Sequence, residues 1–182
     1  GFNEGNIYDK KFHELLIRWF QFAVFTPVCR MHGYRMPYQA PLTPDKKSGG
    51  GFCDSGADNE IWSFGEEVYH ILSNLLSMRE RLRPYIKRCF ELSSETGEPI
   101  MRPMWFDFYQ DEKTWDIEDQ YMFGRDLLIA PVLEQGQKDR IVYFPKGETF
   151  QNALTGETIP GGTYLNVPTP LDVIPVFIRG DA

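Results

Sequence analysis

The sequence predicts an α/β segment followed by an all-β module, and three observations carry that reading. Apolar residues recur at helical spacing in two stretches before residue 97. A short apolar stretch, Thr26-Pro27-Val28-Cys29-Arg30-Met31-His32-Gly33, sits between them and ends in polar groups. After Gly97 the pattern switches to short β-type runs separated by turn residues. The order helix, short strand, loop, helix places Arg30 and His32 at the carboxyl end of a strand, where α/β folds bind ligands. His32 is therefore the first candidate site residue, although a histidine at a strand end is often structural.

The elements follow in order. Asp9 is placed to cap a helix running to about residue 25. Phe12, Leu15, Leu16, Trp19, Phe22 and Ala23 form its expected core stripe, with Arg18 and Gln21 outside the stripe and His13 solvated. Pro27 ends this helix or opens the strand, and residues 28–31 are expected to be a short buried strand. Residues 34–61 are irregular, with three prolines, a Gly-rich tip and the aromatic residues Tyr34, Tyr38 and Phe52. A connection of that length is usually functional or disordered.

Ser63 followed by Glu66 suggests a capping box opening a second helix. Val68, Ile71, Leu72, Leu75, Leu82 and Ile86 mark its buried face. Pro84 should kink or restart it, and Thr96-Gly97 should stop it. The run Arg79, Glu80, Arg81, Arg83, Lys87 and Arg88 reads as a solvated face. Beyond residue 97, strands are expected within 100–108, 126–133, 140–144, 163–167 and 173–178. Turns at 145–147, 155–156 and 160–162 punctuate them, which suggests an antiparallel β-sandwich. A domain boundary falls near residue 97, giving 1–97 and 98–182.

Composition narrows the function classes. The chain has 182 residues, a formal net charge of −7 and 15% aromatic residues. No basic stripe is present, so nucleic acid is not an expected partner. No apolar run has the length of a membrane span, and no membrane partner is expected. Cys29, Cys53 and Cys89 lie far apart, make no CxxC and have no His at zinc spacing. All three are expected to be reduced and structural, and neither metal nor cofactor is expected. Compartment stays open between cytoplasmic and periplasmic or secreted. No nucleophile, zinc-protease, phosphate-loop or dinucleotide motif appears. Acids are plentiful, but no pair stands out as a glycosidase pair.

The motifs as an ordered set say more. Residues 15–32, LLIRWFQFAVFTPVCRMH, resemble the signature RWxQxxxFxPxxRxH of glycoside hydrolase family 31, the α-glucosidase and α-xylosidase family. Gly1-Phe2 resembles the tail of its Asp-Ile-Gly-Gly-Phe motif. Trp62-Ser63-Phe64-Gly65-Glu66-Glu67 resembles its helix start after the last barrel loop. Arg81-Leu82-Arg83-Pro84-Tyr85-Ile86 matches part of its LRYRLLPYIY-like helix. Gly97-Glu98-Pro99-Ile100-Met101-Arg102-Pro103 is similar to GEPVMRP. Residues 120–124 and 127–132 are similar to QFMLGDxLLVAPV.

That resemblance implies that residues 1–97 are the last part of a (β/α)8 TIM barrel, including its eighth strand. It implies that 98–182 are the β-sandwich behind the barrel. His32 matches the family's substrate-binding His, and Phe2 matches an aromatic residue lining the sugar site. Arg30 has a supporting role, paired with an acid outside this chain. The family's two catalytic aspartates sit on earlier strands, so the expected catalytic residues of this chain number none. The resemblance implies an α-glycoside or oligosaccharide substrate, and a preceding part of the same protein as partner. A bare barrel segment should self-associate or need that part, and a homo-oligomer is possible. The Cys29–Gly33 stretch and the insert lean toward the α-xylosidase-like branch. Two other readings stand beside this one. The β module could bind carbohydrate or protein without catalysis, using Trp105, Tyr109, Trp115 and Tyr121 as a stacking platform. The whole protein could also be a pseudo-enzyme.

Overall fold

The computed structural model describes residues 5–32, 35–38 and 56–180. Its elements, in chain order, are helices α1 (Lys10–Val24), α2 (Glu66–Arg81) and α3 (Arg83–Thr96), strand β1 (Met101–Pro103), the short helix α4 (Met104–Asp107) and a 3-10 turn (Glu112–Thr114). Seven strands follow: β2 (Tyr121–Phe123), β3 (Leu127–Ile129), β4 (Asp139–Phe144), β5 (Thr149–Asn152), β6 (Thr158–Pro160), β7 (Thr163–Pro168) and β8 (Val176–Arg179). The pairings among these eight strands are antiparallel, and an isolated parallel bridge joins Asn6 and Met36. One sheet has the order β1-β2-β3-β8-β5-β6, and β4-β7 form a second.

These elements stack as three layers: helices, the six-stranded sheet, and the two-stranded sheet. Side chains alternate across a strand. In β2 and β3, Phe123, Leu127 and Ile129 join the core shared with α1, α2 and α3. Met122 and Leu128 point the other way, into the core shared with Val142, Phe144, Phe150 and Phe177. The central strands are thus buried on both faces, which is why they read as apolar runs without alternation. Phe144 meets Phe177 edge-on at 4.7 Å and Phe150 at 5.4 Å, so aromatic packing fills the sandwich interior.

α1 begins where expected: the Asp9 carboxylate accepts from Lys11 N at 2.9 Å. Its buried face differs from the expected stripe. Phe12, Leu16, Ile17, Phe20 and Val24 are buried, whereas Leu15 and Trp19 are 41% and 44% exposed. The helix has a wide apolar face, and only part of that face is covered by the described residues. Arg18 and Gln21 are buried rather than outside the core. The Arg18 guanidinium donates to the carbonyls of Thr169 (2.7 Å), Pro170 (3.2 Å) and Val173 (3.0 Å) and to Gln21 Oε1 (3.1 Å). Gln21 donates to Leu171 O at 2.8 Å. One turn of α1 therefore serves the backbone before β8. His13 is half-buried, not solvated: its Nε2 lies 2.6 Å from Ile7 O, and its ring meets Phe64 edge-on.

Three further expectations change. Residues 28–31 form no strand, and Val28 is 74% exposed. A strand needs ladder partners, and none is described beside this segment. The capping box does not form. α2 starts at Glu66 after Gly65 (φ 89°), and Ser63 Oγ bonds Glu60 instead. Glu66 and Glu67 supply first-turn charge toward the helix dipole. The run 100–108 is a three-residue strand followed by α4, since Pro103 ends the ladder. Strands β2, β5 and β6 were not foreseen.

Other expectations hold. Leu82 (ψ −8°) separates α2 from α3, and Pro84 lies in the first turn of α3, where its missing N–H costs nothing. Gly97 closes α3 in the left-handed region at φ 78°, with its N–H on Ser93 O at 2.9 Å. Gly124 (φ 64°) is needed for space as well: a Cβ there would stand 2.1 Å from the Tyr85 hydroxyl. That hydroxyl donates to Phe123 O at 2.8 Å, and the Tyr121 hydroxyl donates to Phe25 O at 2.9 Å. Arg102, buried after Gly97, pairs with Asp107 at 2.6 Å and Glu98 at 3.1 Å and lies over the Phe106 ring. Burial pushes the Asp107 carboxyl above its ordinary range, and Arg102 opposes the shift.

Arg18→Ala removes the donors of several buried carbonyls and should cost about 2–4 kcal/mol. Urea unfolding checks this. The midpoint should fall, with helical and aromatic signals lost in one transition. An unchanged midpoint would contradict the role given to Arg18.

Candidate functional site

The site is built on the segment leaving α1. Phe25 caps the helix, and Thr26 Oγ1 lies 2.7 Å from Ala23 O and 2.8 Å from Val28 O, turning the chain. The last carbonyls of a helix lack partners and carry partial negative charge. Arg79 of α2 supplies both donors and charge. Its guanidinium reaches Val24 O at 2.6 Å, Thr26 O at 2.5 Å and Pro27 O at 2.8 Å. The expected solvated face of α2 thus contains one half-buried arginine that fixes the start of the candidate site. Its sequence neighbourhood is charged all round, so only the fold distinguishes it from Arg81 or Arg83.

Beyond the bend at Val28, Cys29, Arg30, Met31 and His32 belong to no helix or strand. Arg30 Nη2 lies 3.2 Å from His32 Nδ1, and both side chains are exposed. A guanidinium only donates, so Nδ1 accepts and the ring proton sits on Nε2. The structure thus gives Arg30 a partner inside the chain. Cys29, just before Arg30, is half-buried. Burial pushes its thiol up and Arg79 opposes this, so it is not poised as a thiolate nucleophile.

Phe2, Tyr34, Phe52 and Cys53 lie outside the described residues, as does most of the 34–61 insert. Arg35, which sequence reasoning passed over, is buried with its guanidinium 5.1 Å from the Phe12 ring centroid. A small cavity of about 60 Å³ lies between α1 and Arg30, Met31 and Arg35. The larger cavity, about 580 Å³, runs along another side of α1 and includes neither Arg30 nor His32. Among the described residues, no cluster of three His, Cys, Asp or Glu side chains could hold a metal ion. No helix among them is long and apolar enough to cross a membrane.

The expected aromatic platform of the β module comes apart. Tyr121 is only partly exposed, and its hydroxyl is bound to Phe25 O. Trp105, Tyr109 and Trp115 are exposed, but Trp105 packs on Phe106 and the Trp115 indole N–H donates to Tyr109 O at 2.9 Å.

Two packed helices joined by a segment that carries a polar pair, followed by two antiparallel sheets, match the order of elements that the family resemblance implies. Comparison with known proteins agrees. Residues 1–88 match the TIM-barrel domain of glycosyl hydrolases family 31, and residues 97–182 match the glycosyl hydrolase family 31 C-terminal domain. The chain is 33% identical over its whole length to an α-xylosidase of Saccharolobus solfataricus, covering 22% of that protein. It is 32% identical over 91% of its length to α-glucosidase 2 of Bacillus thermoamyloliquefaciens, covering 19% of it. It superposes with a TM-score of 0.93 on the crystal structure of a family 31 α-xylosidase from a soil metagenome complexed with xylose. That match has 49% identity over the whole chain and 27% of the other protein. The chain belongs to glycoside hydrolase family 31. It spans about a fifth of the length of the curated relatives it matches.

Arg79→Ala should loosen the segment that carries Arg30 and His32. Hydrogen exchange of amides 25–32 is expected to rise about tenfold or more while β4 and β7 keep their protection. Arg79→Lys, with one donor group in place of the fork, should fall between. Unchanged exchange in this segment would contradict the account.

Proposed function

We propose that this chain is the C-terminal part of a retaining α-glycoside hydrolase acting on terminal α-linked xylose or glucose. On this reading residues 1–97 complete a catalytic barrel and residues 98–182 brace it from behind. The observation that carries the proposal is the Arg30–His32 pair, held by Arg79 at the end of the segment after α1, in a family 31 chain. The high similarity to a xylose-bound α-xylosidase supports xylose over glucose.

The chemistry divides between this chain and the part preceding it. Retaining cleavage uses two carboxylates about 5–5.5 Å apart, one as nucleophile and one as acid/base. Both belong to the preceding part. This chain contributes binding: the His32 Nε2–H donates to a sugar hydroxyl, and Arg30 holds the tautomer. Phe2 adds an apolar wall to the same sugar. Two carboxylates and water suffice for the reaction, so the mechanism calls for no cofactor.

The 182-residue chain alone should show no turnover of an aryl α-xyloside or aryl α-glucoside, and clear turnover would overturn the division of labour. In the full-length protein, His32→Ala should raise KM about tenfold or more, the loss of one hydrogen bond to bound sugar. Steady-state kinetics with KM unchanged would remove His32 from the sugar site.

A further inference from the structure

Three stretches of backbone near the candidate sugar contacts meet at one joint. Met36 N donates to Gly5 O at 3.1 Å, and Ile7 N donates to Met36 O at 3.0 Å, around the parallel bridge between Asn6 and Met36. Ala57 N donates to Arg35 O at 2.8 Å. Gly56 runs so close that a Cβ there would stand 2.8 Å from Arg35 N. Residues 5–7, 35–36 and 56–57 are thus held together, and the two described ends of the insert meet at Arg35. The side chain common to the joint is Phe12 of α1. Its ring leaves no room for a Cβ on Gly5, lies tilted 6.2 Å from the Phe64 ring, and carries the Arg35 guanidinium 5.1 Å from its centroid. Arg35 is 2% exposed, and a cation over a ring face is held more strongly where water is excluded.

We propose that Arg35 is a positioning residue for the sugar site: seated on Phe12, it sets the separation of Phe2 and His32 by locking together the segments that follow them. The inference rests on the reading of those two residues as sugar contacts. Phe2 stands three residues before Gly5, and His32 stands three before Arg35. Three residues reach at most about 10–11 Å, so a displaced joint moves both tethers. Arg35 also lines the small cavity beside α1 together with Phe12, Arg30 and Met31, so a shift of its guanidinium reaches the Arg30–His32 pair through packing as well. Binding groups on two separate segments need such a cross-tie, because a misplacement of about 1 Å can cost about a hundredfold in rate. An apolar side chain could fill the same space, whereas the flat guanidinium adds a fixed orientation on the ring.

The test uses the full-length protein and an aryl α-xyloside. Arg35→Met keeps an unbranched apolar stem and removes the cation. KM is expected to rise about fivefold or more while kcat changes by less than about twofold. The amides of Ile7, Met36 and Ala57 should exchange about tenfold faster. Arg35→Lys, which keeps the charge and loses the plane, should fall between. Phe12→Leu should raise KM in the same way, and the double variant should be no worse than the worse single one, as two residues acting as a unit require. A lower melting temperature with KM unchanged would leave Arg35 a structural residue and overturn the proposal, and additive effects in the double variant would overturn it too. Where Arg35→Met does not fold, Arg35→Lys carries the test, and unchanged KM and amide exchange in that variant are the contradicting result. His32→Ala is scored in parallel. If it raises KM and the Arg35 variants do not, the positioning role alone fails. If His32→Ala leaves KM unchanged, the functional reading fails and takes this inference with it.

Discussion

A guanidinium buried between a helix and a loop must find acceptors, because leaving it bare is far costlier than any packing gain. Arg18 finds them in the backbone carbonyls of Thr169, Pro170 and Val173. Gln21, one turn on, adds the carbonyl of Leu171. These bonds join residues some 150 positions apart in sequence. They fix the azimuth of α1 over the six-stranded sheet, and the rest of the helical layer follows from that. With α1 in place, its C-terminal carbonyls fall within reach of Arg79, and Phe25 O falls within reach of Tyr121. The Arg30–His32 pair sits at the end of this chain of dependencies.

The sheet transmits the same constraint. Because β2 and β3 are buried on both faces, the helical core and the sandwich core share a wall one strand thick. Phe123 and Met122 are sequence neighbours in different cores. Close packing in both leaves little freedom for one layer to slide on the other. The sandwich is thus better described as the floor under the last barrel helices than as an appended module. The Tyr85 and Tyr121 hydroxyls, each on a backbone carbonyl across the junction, reinforce it. Burial raises both phenols above their ordinary range, so they stay neutral donors.

Much of the helical layer was legible because its signals are local. Asp9, Pro84 and Gly97 act through the backbone next to them, and each does what its chemistry requires. What failed was nonlocal. The stripe of α1 was assigned by period alone, yet Leu15 and Trp19 match the buried residues in character and differ only in facing open cavities among the described residues. Residues 28–31 look like a strand and lack a ladder. Arg18 and Arg79 look like surface charges until distant carbonyls are brought to them. Strands β2, β5 and β6 are three or four residues long, too short for alternation to show. Ser63 and Glu66 have capping-box spacing, but Gly65 at positive φ takes the cap position and Ser63 turns to Glu60. His32 was singled out first by its place after a short apolar stretch, and the role proposed for it came from ordered motifs on both sides. The Arg30 contact that sets its tautomer was not readable from residue spacing.

The most direct test of this account is a crystal structure of the full-length protein soaked with xylose. His32 Nε2 should lie within hydrogen-bond distance of a hydroxyl of the bound sugar, with Arg30 on Nδ1 and Arg79 still on the carbonyls of Val24, Thr26 and Pro27. A sugar bound between the catalytic carboxylates with His32 turned away from it would contradict the account.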